Sequence, residues 1–313
     1  MLTIDARLEL FAKLFPKEKI KNVQEREGLD HSVIEINHTW MCKSSKTEDG
    51  IALLAREAKL LKMLQGKITT RIPEPVVYED NFLVYKKIPG SPLFSYMFYH
   101  LGKKQQTKLI FDVAEFLVQL HQALTPAEIE SLGLAKTDWP WSVEKLQAHR
   151  HYLQDHQEML EVFDNIVKMY EVQAGLPFQQ ALIHNDMSMK NIIVDPLTGQ
   201  LRGVIDFTDV AFDDPCFDLR MKRDNSIDFV KAVALVYNMK GGVSCSADKL
   251  YGYYFATEFS RYFRLREEGN EKQAQAVFVE IVRAVQNLLM SHDECKNSGT
   301  CMHDQSEQEI QAQ

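Results

Sequence analysis

Several things are missing from this sequence, and each absence narrows its reading. No stretch reaches eighteen consecutive apolar residues, the length a helix needs to cross a bilayer, so no membrane partner is expected. The opening MLTIDARLELFAKLF mixes Asp5, Arg7 and Glu9 into its apolar residues, a pattern of a short amphipathic helix rather than of a secretory signal, and a cytoplasmic location is expected. A basic excess is lacking too. Thirty-six Lys and Arg stand against 44 Asp and Glu, a formal charge of −8, which argues against a nucleic-acid partner and suits a cationic small ligand. The five cysteines, Cys42, Cys216, Cys245, Cys295 and Cys301, form no CxxC pair, so neither a zinc site nor a disulfide framework is expected and all five are read as free thiols.

What is present fits a chain of two lobes, since 313 residues is long for one core. HSVIEINHTWMCK (31 to 43) reads as two strands with Asn37-His38 at the hairpin turn. IALLAREAKLLKMLQ (51 to 65) repeats apolar positions at helical spacing, and Gly66 follows as a C-cap. PEPVVYEDNFLVYKKIPG then reads as two short strands about a Glu-Asp-Asn turn. After Pro89-Gly90 long helical patterns take over, at 103 to 123, 142 to 173 and 225 to 290, the last broken at Gly241-Gly242 and near Gly269-Asn270. The expected fold class is α+β, with a small β-rich lobe carrying one main helix over residues 1 to 88 and a larger, mostly helical lobe over 89 to 292. Residues 293 to 313 are polar and aperiodic and are expected to form a disordered tail.

One stretch is chemically unusual: ALIHNDMSMKNIIVDPLTGQLRGVIDFTDV, residues 181 to 210. Its three apolar runs read as strands whose ends carry Asp186, Asn191 and Asp206 to one place. A carboxylate and an amide oxygen are hard ligands that suit Mg²⁺ bridging phosphates, so Asn191 and Asp206 are the candidate metal residues. Asp186, five residues before Asn191, can orient a hydroxyl and accept its proton. Lys43, ending a predicted strand, and Glu57, in the helix that follows, fit the lysine and glutamate that hold nucleotide phosphates; Lys46, in the polar turn SSKTEDG, is the alternative lysine. Backbone groups at Lys86 and Ile88, where the two lobes join, can bond a purine.

In this order the residues LLAREAKLL, FLVYKKIPGSPL, VAEFLVQLHQAL, HNDMSMKN and VIDFTDVAFDDPCFDL resemble the aminoglycoside phosphotransferase family, a branch of the protein-kinase-like fold, over about residues 28 to 219. The resemblance implies a bilobal kinase-like fold and a small-molecule kinase that uses ATP or GTP with Mg²⁺. It implies that Asp186 is the catalytic aspartate, Asn191 and Asp206 the metal ligands, and Lys43 with Glu57 the phosphate pair. His184 then braces the loop and His121 packs in its helix, while Asp214-Pro215 and Asp218 fix the turn after the metal strand. Two departures stand out. The phosphate loop EREGLDHSV has the single glycine Gly28 rather than GxGxxG, and seven residues separate Asp206 from Asp214, too few for a regulated activation segment. The second departure favours a small acceptor over a protein one.

For that acceptor, HNDMS and IDF tilt the resemblance towards the aminoglycoside 2''-phosphotransferase branch, with macrolide or metabolic acceptors such as choline, homoserine or a sugar as alternatives. Asp213, Asp218 and Glu258 are the candidate carboxylates for a cationic substrate, and the aromatic run Tyr251, Tyr253, Tyr254 and Phe255 is either core or a cage for a quaternary ammonium. Tyr85 falls where its bulk guards the inner purine pocket, which favours GTP. A silent nucleotide-binding protein is the remaining alternative, although every catalytic position holds the required residue type. A monomer or weak dimer is expected.

Overall fold

The computed structural model describes residues 2–27, 31–79, 81–220 and 227–298. The chain separates into two compact units, one made of residues up to Thr137 together with Leu176–Tyr251, the other of Asp138–Gly175 and the chain from Gly252 onward. The join between β-rich and helical segments expected at 88/89 falls inside the first unit.

The first unit opens with α1 (Ile4–Leu14) and an antiparallel sheet of β1 (Val23–Glu27), β2 (His31–Ile36), β3 (Trp40–Ser45), β4 (Pro75–Glu79) and β5 (Phe82–Lys86), in the order β1-β2-β3-β5-β4. The β2–β3 hairpin turns at Asn37 and His38, both at positive φ (54° and 56°), as a tight two-residue connection requires. Because successive side chains alternate across a strand, the even-numbered Ile34, Ile36, Trp40, Cys42, Phe82 and Val84 gather with Phe11 on one face. The odd-numbered Leu83 and Tyr85 meet Leu54 and Ala58 of α2 (Glu48–Leu64) on the other. Lys43 shares that second parity, and Glu57 lies three residues from Leu54 on the same face of α2. The alternation of two local patterns thus aims the lysine and the glutamate at each other.

Gly90 then carries the chain past the sheet at φ 141°, where an added Cβ would lie 2.5 Å from the Val194 carbonyl oxygen; both the backbone angle and the close approach demand glycine. The two-residue β6 (Ser91–Pro92) pairs with β8 (Ile192–Val194), which pairs in turn with β9 (Leu201–Val204); β7 (Ala181–Ile183) pairs with β10 (Ala211–Asp213). After the short α3 (Ser95–His100), α4 (Lys103–Gln122) supports these ribbons with Leu109, Val113, Phe116, Leu117 and Leu120, all buried at helical spacing, and packs on α8 (Ile227–Met239). The turn of helix α5 (Pro126–Ser131) is closed by a capping box between Thr125 and Glu128.

The second unit contains α6 (Val143–Ala148), α7 (Gln157–Ala174), most of α9 (Ala247–Glu267) and α10 (Glu271–Ser298). The helical pattern expected to run from 142 to 173 is interrupted, with a 3-10 turn at Arg150–Leu153 between α6 and α7. Its core is aromatic: Phe163 meets Phe259 and Phe263 edge to face, at 4.9 and 5.6 Å. Helix α10 continues through Ser298, six residues into the segment expected to be tail, and residues 299–313 lie outside the described part.

One expectation needs correction. Cys216 and Cys245 are joined in a disulfide, their Cα atoms 5.9 Å apart, so they are not free thiols. Twenty-nine residues of sequence hide this pairing, and only the fold closes the gap. Cys42 is free and buried, and burial pushes its thiol up to about 12. The aromatic run offers no cage: Tyr251, Tyr253, Tyr254 and Phe255 are all at least nine-tenths buried, and helix α9 uses them as core. Among the described residues no helix is long and apolar enough to cross a membrane.

Candidate active site

The site grows from the loop after β7. His184 stands at the strand end with no exposure, its Nε2 3.0 Å from the Ile205 carbonyl oxygen, and the Asp186 amide donates to its Nδ1 at 3.3 Å. These two contacts fix one tautomer, with the proton on Nε2 and an acceptor at Nδ1. His184 therefore shapes the loop. The chain turns through Asn185 at φ 62°, and a 3-10 turn at Met189–Asn191 brings Asn191 back. The Asn191 side-chain amide donates to the Asp186 carbonyl and to Asp186 Oδ2, both at 2.9 Å. With both amide protons used, the Asn191 carbonyl oxygen is the end left to meet a cation.

The ribbon β8–β9 delivers the next carboxylate. The Ile205 amide donates to the Asn191 backbone carbonyl at 2.9 Å, so Asp206, one residue on and at φ 70°, emerges beside the loop. Asp206 Oδ1 accepts from Lys43 Nζ at 3.0 Å, and Lys43 Nζ also donates to Glu57 Oε2 at 2.9 Å. Lys43, not Lys46, makes this pair. Glu57 is anchored at its other oxygen by the Phe207 amide, at 3.2 Å. Burial works against the charged form of Lys43, but the Glu57 and Asp206 carboxylates outweigh it and raise its pKa above the ordinary lysine value. Burial likewise works to raise Asp206, and the Lys43 charge overcomes it, holding that carboxyl well below the usual range. Lys43 and Asp206 are thus both ionised at neutral pH.

A carboxylate and an amide oxygen fit Mg²⁺ by donor type, and among the described residues no cluster of three or more His, Cys, Asp or Glu could hold a metal by itself. Two protein ligands suit an ion that completes its shell with phosphate and water.

A sequence profile, the Phosphotransferase enzyme family (APH), matches residues 24–262. The chain belongs to that family. As a phosphotransferase it has the mixed α and β, kinase-like fold of its structural neighbours. An aminoglycoside 2'-phosphotransferase-IIIa solved with GDP aligns at a TM-score of 0.76 and 21% identity, over 90% of this chain and 97% of that one. A GDP and kanamycin complex of APH(2'')-IIIa aligns at 0.70 and 23%, over 93% and 98%. A macrolide 2'-phosphotransferase of Brachybacterium faecium aligns at 0.60 and 16%, over 88% and 97%. No curated protein matches the chain in sequence.

The remaining expected site residues are spread more widely. Tyr85 is buried on β5, in register with Met41 of β3. Lys86 pairs with Trp40 and lays its ammonium 5.0 Å from that ring's centre, while the buried Ile88 side chain reaches the space an added Cβ on Gly203 would need. Gly28 lies outside the described residues. Asp213 is buried, and its carboxylate accepts from the Asp214 and Thr137 amides, at 2.8 and 3.0 Å. Asp218 accepts from the His184 and Asn185 amides, each at 2.7 Å, and lies 3.0 Å from His121 Nε2. Its two oxygens hold the loop that carries Asp186, which takes Asp218 out of the acceptor set. Glu258 is buried on α9 in the second unit.

Sequence reasoning missed three residues here. Thr208 places its hydroxyl among Lys43, Glu57 and Asp206; the signal was a polar residue where kinases carry the glycine of D-F-G. Asn185 and Arg220 form a clamp at the residue before Asp186, with no sequence pattern to announce it.

Proposed function

We propose that this phosphotransferase moves the γ-phosphoryl group of a nucleoside triphosphate to a hydroxyl of an aminoglycoside-like, cationic small molecule. The observation that carries the proposal is one continuous network: Glu57 to Lys43 to Asp206, and through the β8–β9 ribbon to Asn191 and Asp186. In this reading Asp186 orients the acceptor hydroxyl and takes its proton, and Lys43 neutralises phosphate charge. Asn191 and Asp206 would hold Mg²⁺, which supplies charge compensation at the β- and γ-phosphate oxygens when bound. The transition state of such a transfer is loose, so positioning and electrostatics contribute more than proton removal.

The acceptor class draws support from the kanamycin bound to a neighbour of the same fold and from the short segment between Asp206 and Asp214. Asp213, like Asp218, has both oxygens taken by backbone amides and is not kept as a carboxylate for a cationic acceptor. On the donor side, buried Tyr85 fills the inner end of the proposed purine pocket and favours GTP, with the backbone of Lys86 and Ile88 bonding the base. The test is a phosphorylation screen of aminoglycosides, macrolides, choline, homoserine and sugars, with ATP and GTP in parallel. Phosphorylated aminoglycoside is the expected product. Turnover confined to choline, homoserine or sugars would replace the acceptor, and magnesium-independent nucleotide binding without transfer would replace the function.

A further inference from the structure

Lys43 carries three ammonium protons, and three oxygens receive them: Glu57 Oε2 at 2.9 Å, Asp206 Oδ1 at 3.0 Å and Thr208 Oγ1 at 2.5 Å. A saturated ammonium has nothing left for a phosphate. If Lys43 is to neutralise phosphate charge, as the proposed phosphoryl transfer requires, one of the three acceptors must let go.

The structure distinguishes them. Glu57 has a side chain only 2% exposed and is pinned by the Phe207 amide, so it stays. Asp206 has a side chain 43% exposed and is the open corner of the cluster. Thr208 is buried, and its hydroxyl lies 3.0 Å from Glu57 Oε2 and 3.1 Å from Asp206 Oδ1. That hydroxyl has one proton for two carboxylates. Given to Asp206, the proton ties the open carboxylate to the cluster; given to Glu57, it frees Asp206 and leaves Thr208 and Glu57 as a fixed pair of acceptors under Lys43. Being neutral, Thr208 holds the ammonium without adding a negative charge that would repel phosphate. Its β-branched side chain has few rotamers, which keeps the oxygen in place.

We infer that Thr208 is a positioning residue: its hydroxyl holds the Lys43 ammonium in place while that ammonium exchanges the Asp206 carboxylate for nucleotide phosphate. This role rests on the phosphotransfer reading above.

Thr208→Val keeps the shape and removes the hydroxyl; Thr208→Ser keeps the hydroxyl and removes the methyl group. Nucleotide affinity is measured by titration calorimetry with Mg²⁺ and with chelator, beside the KM of donor and acceptor and thermal unfolding. For Thr208→Val a loss of donor affinity of roughly tenfold or more is expected in both conditions, the scale of one hydrogen bond to a charged group, with acceptor KM unchanged. Thr208→Ser is expected to stay within about threefold of wild type. Thr208→Val binding nucleotide like wild type would overturn the role, as would Thr208→Ser failing as badly as Thr208→Val, because the methyl packing would then be what matters. Should Thr208→Val fail to fold, Thr208→Ala, which also lacks the hydroxyl, takes its place, and Thr208→Ala binding nucleotide like wild type would overturn the role. Wild type that binds no nucleotide removes the phosphotransfer reading and this role with it, whereas wild type that binds while both variants match it removes only the role of Thr208.

Discussion

Arg220 donates from one guanidinium nitrogen to both oxygens of Asn185, at 2.7 Å to the backbone carbonyl and 3.0 Å to the side-chain oxygen. Asn185 also donates to Thr137 Oγ1 and to the Asp209 carbonyl, so the residue before Asp186 is held on every side at φ 62°. Asparagine tolerates that left-handed angle and a β-branched residue does not. Asn185→Val is therefore expected to lower turnover by roughly 10²-fold, and Asn185→Gly, which keeps the angle and loses the side-chain bonds, by about tenfold. Steady-state kinetics of the two variants check the order; equal losses would show that the angle is not what positions Asp186.

Asp186 and Asp206 should fail in different ways. Asp186→Ala is expected to lower turnover by about 10²-fold or more while nucleotide binding survives. Asp206→Ala should instead abolish magnesium-dependent nucleotide binding. Calorimetric titration with and without Mg²⁺ separates them, and an unaltered metal dependence in Asp206→Ala would remove that residue from the metal site.

Acid should loosen the loop through Asp218. Burial works to raise this carboxyl, yet the hydrogen bonds from His121 and from the His184 amide outweigh it and hold the pKa below the ordinary value. A depressed folded pKa means that the stability is present above the unfolded value, near about 4, and is lost as pH falls from there towards the folded one. Unfolding free energy should drop below pH 4 with a slope of up to about 1.4 kcal/mol per pH unit from this one proton. Asp218→Asn should flatten the drop. Urea unfolding midpoints at pH 6, 4 and 3 measure it, and identical slopes in the two proteins would exclude Asp218 as the source.

The bridge between Cys216 and Cys245 spans 29 residues and limits the unfolded chain, a contribution of about 3.6 kcal/mol by loop entropy. Reductant is expected to lower the urea midpoint of the wild type and to leave the double variant Cys216→Ser, Cys245→Ser unmoved. Equal midpoints for wild type with and without reductant would show that the bridge does not form in solution.

Donor choice should respond to Tyr85. Tyr85→Ala is expected to raise kcat/KM for ATP relative to GTP by about tenfold or more, the scale on which pocket shape discriminates. Wild-type turnover with ATP equal to that with GTP would count against a guarding role for the tyrosine.

Local order made much of this legible beforehand. The spacing of Asp186 and Asn191 is set within six residues of one loop, so the sequence itself displays it. Lys43 and Glu57 could be read because each follows from the period of its own element, two for the strand and 3.6 for the helix. Asn37-His38 and Gly66 announced a turn and a helix end through backbone angles that few residues accept, and all three adopt positive φ.

What the sequence could not decide were contacts between distant segments. Thr208 meets Lys43 across 165 residues, and Asp218 reaches the amides of His184 and Asn185 across 34 and 33. In the sequence Asp218 and Asp213 look like free carboxylates for a cationic ligand, and only burial shows that their oxygens are engaged by backbone amides. The same holds for the tyrosines of α9, whose spacing allows either core or cage until packing covers them. The sequence by itself determined the kinase-like order of elements and the residue types of the chemistry, because those depend on local periodicity and loop spacing. Tertiary structure alone decided which carboxylates are engaged within the protein, which cysteines pair, and that a threonine hydroxyl shares the lysine's protons, because each depends on which distant surfaces the fold presses together.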